Sequence, residues 1–422
     1  MFVKGIMGGF ASGKQQTYKE GYLLPVMDAQ KLLEAGRHHA VLRQLKDTCG
    51  VPAEYFDAFY MPLVNAFVGF VQILPTEFTG PLSGMMNEGI ARAMIAMQTY
   101  QLEHKDQLDP LKTYAVFSAG LFRDVSHVVM NQQIILTDKE GDFIENWHPL
   151  SGSMLGRAEY YRLLPLPAVF QRLDITLCHL LARQLMPEQA YEWIASDLHV
   201  LADWFDAISG EQGGGGVLAH TLAYSKPEDL HALESSLVQV PVKQVESHAT
   251  EHGHAFYRWL VDGLNKKIIK VNTADAGVHV TDQGVFLERP KIFREFLEVY
   301  NESVTLSVVY AQFGNLMGIA KKGGYDLMNG QYFSDYAESR EAGASAFASP
   351  LSGKEQSLRD GMVLASPGRV FLNATIPAVT PMLREMQSQD QAQNLPTLKP
   401  TETPPPPKPT TPSPKLMPPK GG

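Results

Sequence analysis

One stretch gathers residue types that could do chemistry together. Thr113–Val129 (TYAVFSAGLFRDVSHVV) is an apolar run broken by Arg123, Asp124, Ser126 and His127. A carboxylate and an imidazole on a buried helix are ligand types for a divalent metal, which could then activate water against a phosphoester. Arg123 alters that expectation. A guanidinium keeps its proton and binds no metal, and beside Asp124 it is expected to form an ion pair. A second candidate, His248-Ala-Thr-Glu251-His252, has the letters of an H-x-x-E-H zinc signature, with His254 close behind. On a helix His248 and His252 would share one face. No protease-like surroundings accompany it, so a solvated polar helix is the expectation there. Gly8-x4-Gly13-Lys14 matches most of a phosphate-binding loop. Gln15 stands where Ser or Thr would hold Mg²⁺, and too little chain precedes it for the parallel sheet such a loop needs; a loose Gly-rich arm is expected. His38-His39 is expected on a polar helix face. Trp193, Trp204 and Phe205, and Met85, Met86, Met94 and Met97, are expected to fill core.

These groups need elements to position them. The sequence predicts a helix over Lys31–Thr48 capped by Asp28, one begun by Pro52, and another from Pro62 through Leu74. Met85–Leu102 and Thr113–Val129 follow. Ile134–Thr137 and Phe143–Glu145 flank Asp138-Lys-Glu-Gly141, a hairpin signal. Helices at Val169–Gln184, Pro187–Ala195 and Leu198–Ile208 end at the Gly213–Gly216 run. Beyond it, Ala255–Asn265 is helical. Lys266–Asn272, Val278–Thr281 and Val285–Arg289 read as short strands, and Pro290 opens a helix through Tyr300. Helix, small sheet, helix is the outline of a winged-helix module. Its cations, Lys266, Lys267, Lys270, Arg289, Lys291 and Arg294, could neutralise phosphates of nucleic acid. Acidic neighbours Asp262, Asp275, Asp282, Glu288 and Glu295 temper that reading. Leu306–Arg384 mixes an apolar helix with Gly/Ala/Ser-rich loop and a strand-like run at Gly368–Asn373.

The bulk numbers narrow the classes. The 422 residues suffice for two or three domains, and 44% apolar residues can bury a core. A net charge of −9 excludes a generic polyanion binder, so any nucleic-acid surface must be local. Cys49 and Cys178 make neither a disulfide framework nor a thiolate metal site, which fits a reducing compartment. There is no long apolar run and no signal peptide, so the expectation is a cytoplasmic protein without membrane insertion. Eleven of the 28 prolines follow residue 386, where a disordered tail is expected.

Several segments together resemble a known family. They are GYLLPVMDAQKLLEAGRHHAVLRQLKD, VPAEYFDAFYMPLVNAFVGFVQILP, YAVFSAGLFRD, TDKEGDFIENWHPL and EWIASDLHVL. They resemble the N-terminal domain of TraI-type relaxases of the MOBH class, found in integrating conjugative elements and large conjugative plasmids. AFYRWLVDGLNKKIIKVNTADAGVHVTDQGVFLERPKIFREFLE is similar to the winged-helix domain of the same relaxases. The resemblance spans residues 20–300. It implies a mainly α, HD-domain-like helical bundle with a small hairpin and an α+β winged-helix domain, ahead of the disordered Pro-rich tail that composition predicts. The expected boundaries are 1–20 for the arm, 21–216 for the HD-like domain, 217–305 for linker helices and winged helix, 306–386 for a C-terminal extension and 387–422 for the tail.

The departures from that family shape the functional expectation. Its histidine cluster is absent from Glu77 to Gly89, and Glu88 takes the place of the helix histidine. Its His-Asp pair is Arg123-Asp124, and its lysine position is His127. Glu88, Arg123, Asp124 and His127 are thus expected to mark a vestigial HD site with no catalytic residue, metal or cofactor. The chain would then be an inactive scaffold docking DNA through the winged helix, and conjugation or type IV secretion proteins through the tail. Two alternatives stand. One is an active relaxase holding Mg²⁺ or Mn²⁺ through Asp124, His127, Glu88 and Asp138; the other is a secretion adaptor without DNA contact.

Overall fold

The computed structural model describes residues 16–34, 38–105, 107–166, 174–210, 216–224, 233–234, 237, 240–300, 303–318, 329–334, 357–372 and 374–385. The phosphate-loop-like run at Gly8–Lys14 and the Pro-rich tail lie outside them, as do most of the 1–20 arm and most of the Gly213–Gly216 run.

Helices dominate the first half because the apolar spacing there is helical, and some of the starts carry a side-chain cap. Asp28 accepts a hydrogen bond from the Lys31 amide at 2.9 Å, as the sequence predicts, ahead of α1 (Ala29–Glu34). Within the expected helix over Lys31–Thr48 lie the end of α1 and α2 (His38–Thr48), residues 35–37 being outside the described ones. A π-helical run, Phe56–Tyr60, leads into α3 (Met61–Val71). α4 (Gly84–Glu103) is apolar almost all round and correspondingly buried. Asp109 caps α5 (Pro110–Phe122), accepting from the Leu111 amide at 2.9 Å with Pro110 in the first turn. The predicted helix through Val129 breaks after Phe122. Residues 123–126 form turns before the short α6 (His127–Met130). The polar cluster therefore sits in a helix break. α7 (Asp174–Leu185), α8 (Glu188–Ala195), α9 (Leu198–Ser209) and α10 (Val217–Tyr224) complete this half; Asp197 caps α9 and Gly210, at φ +73°, ends it.

The hairpin signal holds. β2 (Gln132–Thr137) pairs antiparallel with β3 (Phe143–Asn146) around the Asp138–Gly141 turn. The sequence reading does not supply the rest of this sheet. β4 (Tyr160–Pro165), β1 (Tyr22–Pro25) and β5 (Val245–Glu246) extend it in the order β3-β2-β4-β1-β5. Alternation along β2 and β4 sends side chains to two different cores. Ile134, Leu136, Tyr161 and Leu163 join the helical core, while Ile135 and Leu164 join the second.

That second core lies between α11 (Glu251–Asn265), α12 (Lys291–Val299), α13 (Leu306–Met317) and a sheet ordered β10-β8-β9-β7-β6. β6 (Val278–Thr281) and β7 (Gly284–Arg289) form the expected hairpin. Lys266–Asn272 does not form the expected strand. Lys266 and Lys267 close a turn, with Lys267 at φ +57°, and in this run Val271 alone bridges to Val278. β7 is also not free on its far side: β9 (Ser357–Leu364) pairs with it from Leu364↔Val285 to Asp360↔Arg289. β8 (Asn329–Ser334) and β10 (Leu383–Glu385) continue the sheet. Residues 306–386 thus supply a helix and strands to this half. Within the Gly368–Asn373 run, Pro367–Arg369 is a 3₁₀ turn rather than the start of a strand, and Asn373 lies outside the described residues. No helix among the described residues is long and apolar enough to cross a membrane.

Candidate functional site

The helix break positions Asp124 because α4 and α5 approach unusually closely. A Cβ on Gly120 would meet the Ala93 backbone of α4 at 2.7 Å, while one on Gly89 would meet the Phe67 ring of α3 at 2.5 Å. With no side chains in the way, the end of α5 lies against the middle of α4. Glu88 and Arg92, one helical turn apart, then share the face that meets Asp124. The Arg92 guanidinium forms ion pairs with both Glu88 and Asp124. A small pocket opens beside these three, bounded also by Phe67, Thr76, Met85 and Val125. Its rim is pinned by Asn131, which donates to the Thr76 carbonyl at 2.6 Å.

The structure thus brings Glu88 and Asp124 together, as the sequence predicts, and corrects the partner. Asp124 pairs with Arg92, not with Arg123. The Arg123 side chain turns toward Gly210, where its guanidinium would touch an added Cβ at 2.9 Å. Its carbonyl accepts from the Cys178 thiol at 3.1 Å. Burial pushes that thiol up to about 11, which disfavours the thiolate form. Ser126 is buried and donates to Asp174, tying the break to α7. His127 lies outside the pocket wall, and its buried Nδ1 has no hydrogen-bond partner among the described residues. Arg92 escaped sequence reasoning. The signal was present: a lone arginine, four residues after a glutamate, within the otherwise apolar run Gly89–Met97.

The donor set does not fit a divalent metal. Two carboxylates converge, but the guanidinium stands between them and no imidazole borders the pocket. Among the described residues no group of three or more His, Cys, Asp or Glu side chains is gathered to hold a metal ion. The H-x-x-E-H letters do not assemble either. His248 lies in a 3₁₀ turn and contacts Glu251 at 3.0 Å, while His252 Nδ1 meets the Tyr300 hydroxyl at 3.1 Å. His38 is fully buried against Asn87 at 2.8 Å, rather than on the polar face expected for it, and His39 is exposed. Trp204 is core, donating to Ser118 at 2.9 Å.

The six cations of the second half divide into two sets. Lys266 pairs with Asp262 at 2.6 Å, Lys270 pairs with Asp275, and Arg289 pairs with Asp360 at 3.0 Å. Arg289 is also fixed over the Tyr310 ring, 5.9 Å from its centroid. Lys267, Lys291 and Arg294 make no ion pair among the described residues. Glu295 stands near Lys291, and burial pushes its carboxyl up. The tip of the β6–β7 hairpin carries Asp282, an acidic residue where a phosphate-gripping wing would want a base.

Comparison with known proteins follows the two halves. The sequence family TraI_2, described as "Putative helicase", matches residues 21–292. The family TraI_2_C, described as "Putative conjugal transfer nickase/helicase TraI C-term", matches residues 251–386. No curated protein matches the chain. Among solved structures, the C-terminal domain of Salmonella enterica protein STY4665 is 24% identical over 33% of this chain and 98% of that one. Its TM-score of 0.24 is too low to define a shared fold.

Proposed function

The chain belongs to the TraI family of conjugal-transfer nickase/helicase proteins, and from that premise we propose that it serves DNA transfer as a scaffold whose HD-like site is catalytically silent. One observation carries the reading: the Arg92 guanidinium is held by both Glu88 and Asp124, the acids that a metal would need. Metal-bound water is what gives such a site its nucleophile at neutral pH. The helical half is then an HD-like frame. The α11–β6–β7–α12 segment is a winged-helix-like docking surface for DNA, through Lys267, Lys291 and Arg294 in the main. The Pro-rich run after residue 386 is proposed to engage another component of the transfer or secretion machinery.

Supercoiled DNA incubated with the full chain and Mn²⁺ or Mg²⁺ is expected to stay closed. Nicking that requires the metal and disappears in Asp124→Ala would establish the active-relaxase alternative instead. Duplex binding is expected to weaken with salt. Three cations without an ion pair among the described residues correspond to a slope of log K against log salt of about −2.7. Replacing Lys267, Lys291 and Arg294 together by Ala should flatten that slope. Binding near background and insensitive to salt would point to the adaptor without DNA contact, a reading favoured by the carboxylates already bound to Lys266, Lys270 and Arg289.

A further inference from the structure

We infer that Arg92 is a built-in cation, occupying by its guanidinium the position and part of the charge that a divalent ion would otherwise supply between Glu88 and Asp124. The inference rests on the silent-site reading and goes beyond it, since it assigns Arg92 the place of a metal ion and predicts what its removal exposes.

The geometry supports this over a surface ion pair that happens to lie nearby. Arg92 is 8% exposed, and Glu88 and Asp124 come from different elements, α4 and the break after α5. Two carboxylates facing one partly buried pocket repel each other unless a cation lies between them. The guanidinium is planar, always charged and able to offer separate N–H groups to two carboxylates, so it satisfies both at once. Against two carboxylates it leaves one negative charge, whereas a divalent ion would leave none. The pocket is walled by Thr76, Met85 and Phe67, so no other cationic side chain among its lining residues can take over. Removing Arg92 therefore leaves two oxygen-donor groups aimed at a vacated volume, which suits a hard divalent ion.

The test compares wild type, Arg92→Ala, Arg92→Gln and Arg92→Ala/Asp124→Asn as full chains. The melting temperature is followed as MnCl₂ is added, and Mn²⁺ electron paramagnetic resonance counts bound ion. Wild type should show neither shift nor bound ion. Arg92→Ala should melt lower than wild type without metal and recover as MnCl₂ rises, because a ligand of the native state stabilises it by mass action. The double variant should lose that recovery. Arg92→Gln removes the charge while keeping most of the bulk, so it still reports if Arg92→Ala fails to fold, and it should show the same Mn²⁺ dependence more weakly. Folded Arg92 variants that bind no Mn²⁺, or bind it equally after Asp124→Asn, overturn the inference and leave the silent-site reading standing. Mn²⁺ bound to wild type overturns both.

Discussion

His254 shows at the scale of one residue what burial does here. It lies near the start of α11, enclosed, with Nε2 lacking a hydrogen-bond partner among the described residues. Burial first, then the charges of Arg162 and Arg258, lowers its pKa from 6.5 to about 4. The folded pKa is below the unfolded one, so the unfolded chain binds the extra proton as pH falls. Stability is complete above about 6.5 and drains away between there and about 4, by up to about 3 kcal/mol. Urea midpoints at near-neutral pH and near pH 5 should therefore differ for wild type and converge for His254→Phe. An unchanged pH dependence in that variant would assign the acid sensitivity elsewhere. Arg162 is the neighbouring case. It is buried on β4, and burial lowers its pKa to about 10. Its guanidinium donates to the carbonyls of Gly141, at 2.8 Å, and Asn315.

At the scale of elements, the α4–α5 contact decides whether the candidate site exists. Gly120 meets the backbone of Ala93, which cannot yield as a flexible side chain would. Gly120→Ala should thus cost about 1–3 kcal/mol by overpacking. It should also separate Arg92 from Asp124, so denaturation of this variant should depend less on the identity of residue 124 than wild type does. A double-mutant cycle of Gly120→Ala with Asp124→Asn reads that coupling. The second sheet has a comparable tie. Arg359 on β9 donates to Glu288 on β7 at 2.7 Å, beside the buried His279 on β6. Strands far apart in sequence are thereby held in one register.

At the scale of the whole described chain up to Arg384, the two cores are joined through the first sheet rather than through a linker. Asn315 on α13 accepts from the Phe143 amide at 2.6 Å and donates to Asp142 at 3.0 Å and to the Ala249 carbonyl at 3.2 Å. The β2–β3 hairpin of the helical half is thus bound to a helix of the other half. A chain ending at residue 305 would lose α13 and β9, baring Phe256, Phe293 and Leu287. It is expected to aggregate or melt without cooperativity, which circular dichroism on heating would show. A sharp transition in that fragment would mean that the docking surface folds without its C-terminal partner strands.

What the sequence determined by itself was mostly local. Helix periodicity, the Asp28 cap, Pro62 and Pro187 at helix starts, and the hairpin turn at Asp138–Gly141 depend on neighbours a few residues away, and they appear in the structure. The family was legible in the same way, from ordered motifs, and so were Glu88 and Asp124 as partners of one site. What the tertiary structure alone decided were pairings across long sequence separation. Short strands such as Tyr22–Pro25 and Val245–Glu246 carry too few residues to announce themselves, and they form because a neighbouring strand satisfies their backbone. Arg123 lost Asp124 to Arg92 for a related reason. Adjacent residues at a helix end point in different directions, whereas Arg92 on the facing helix lies within reach once Gly120 lets the helices close.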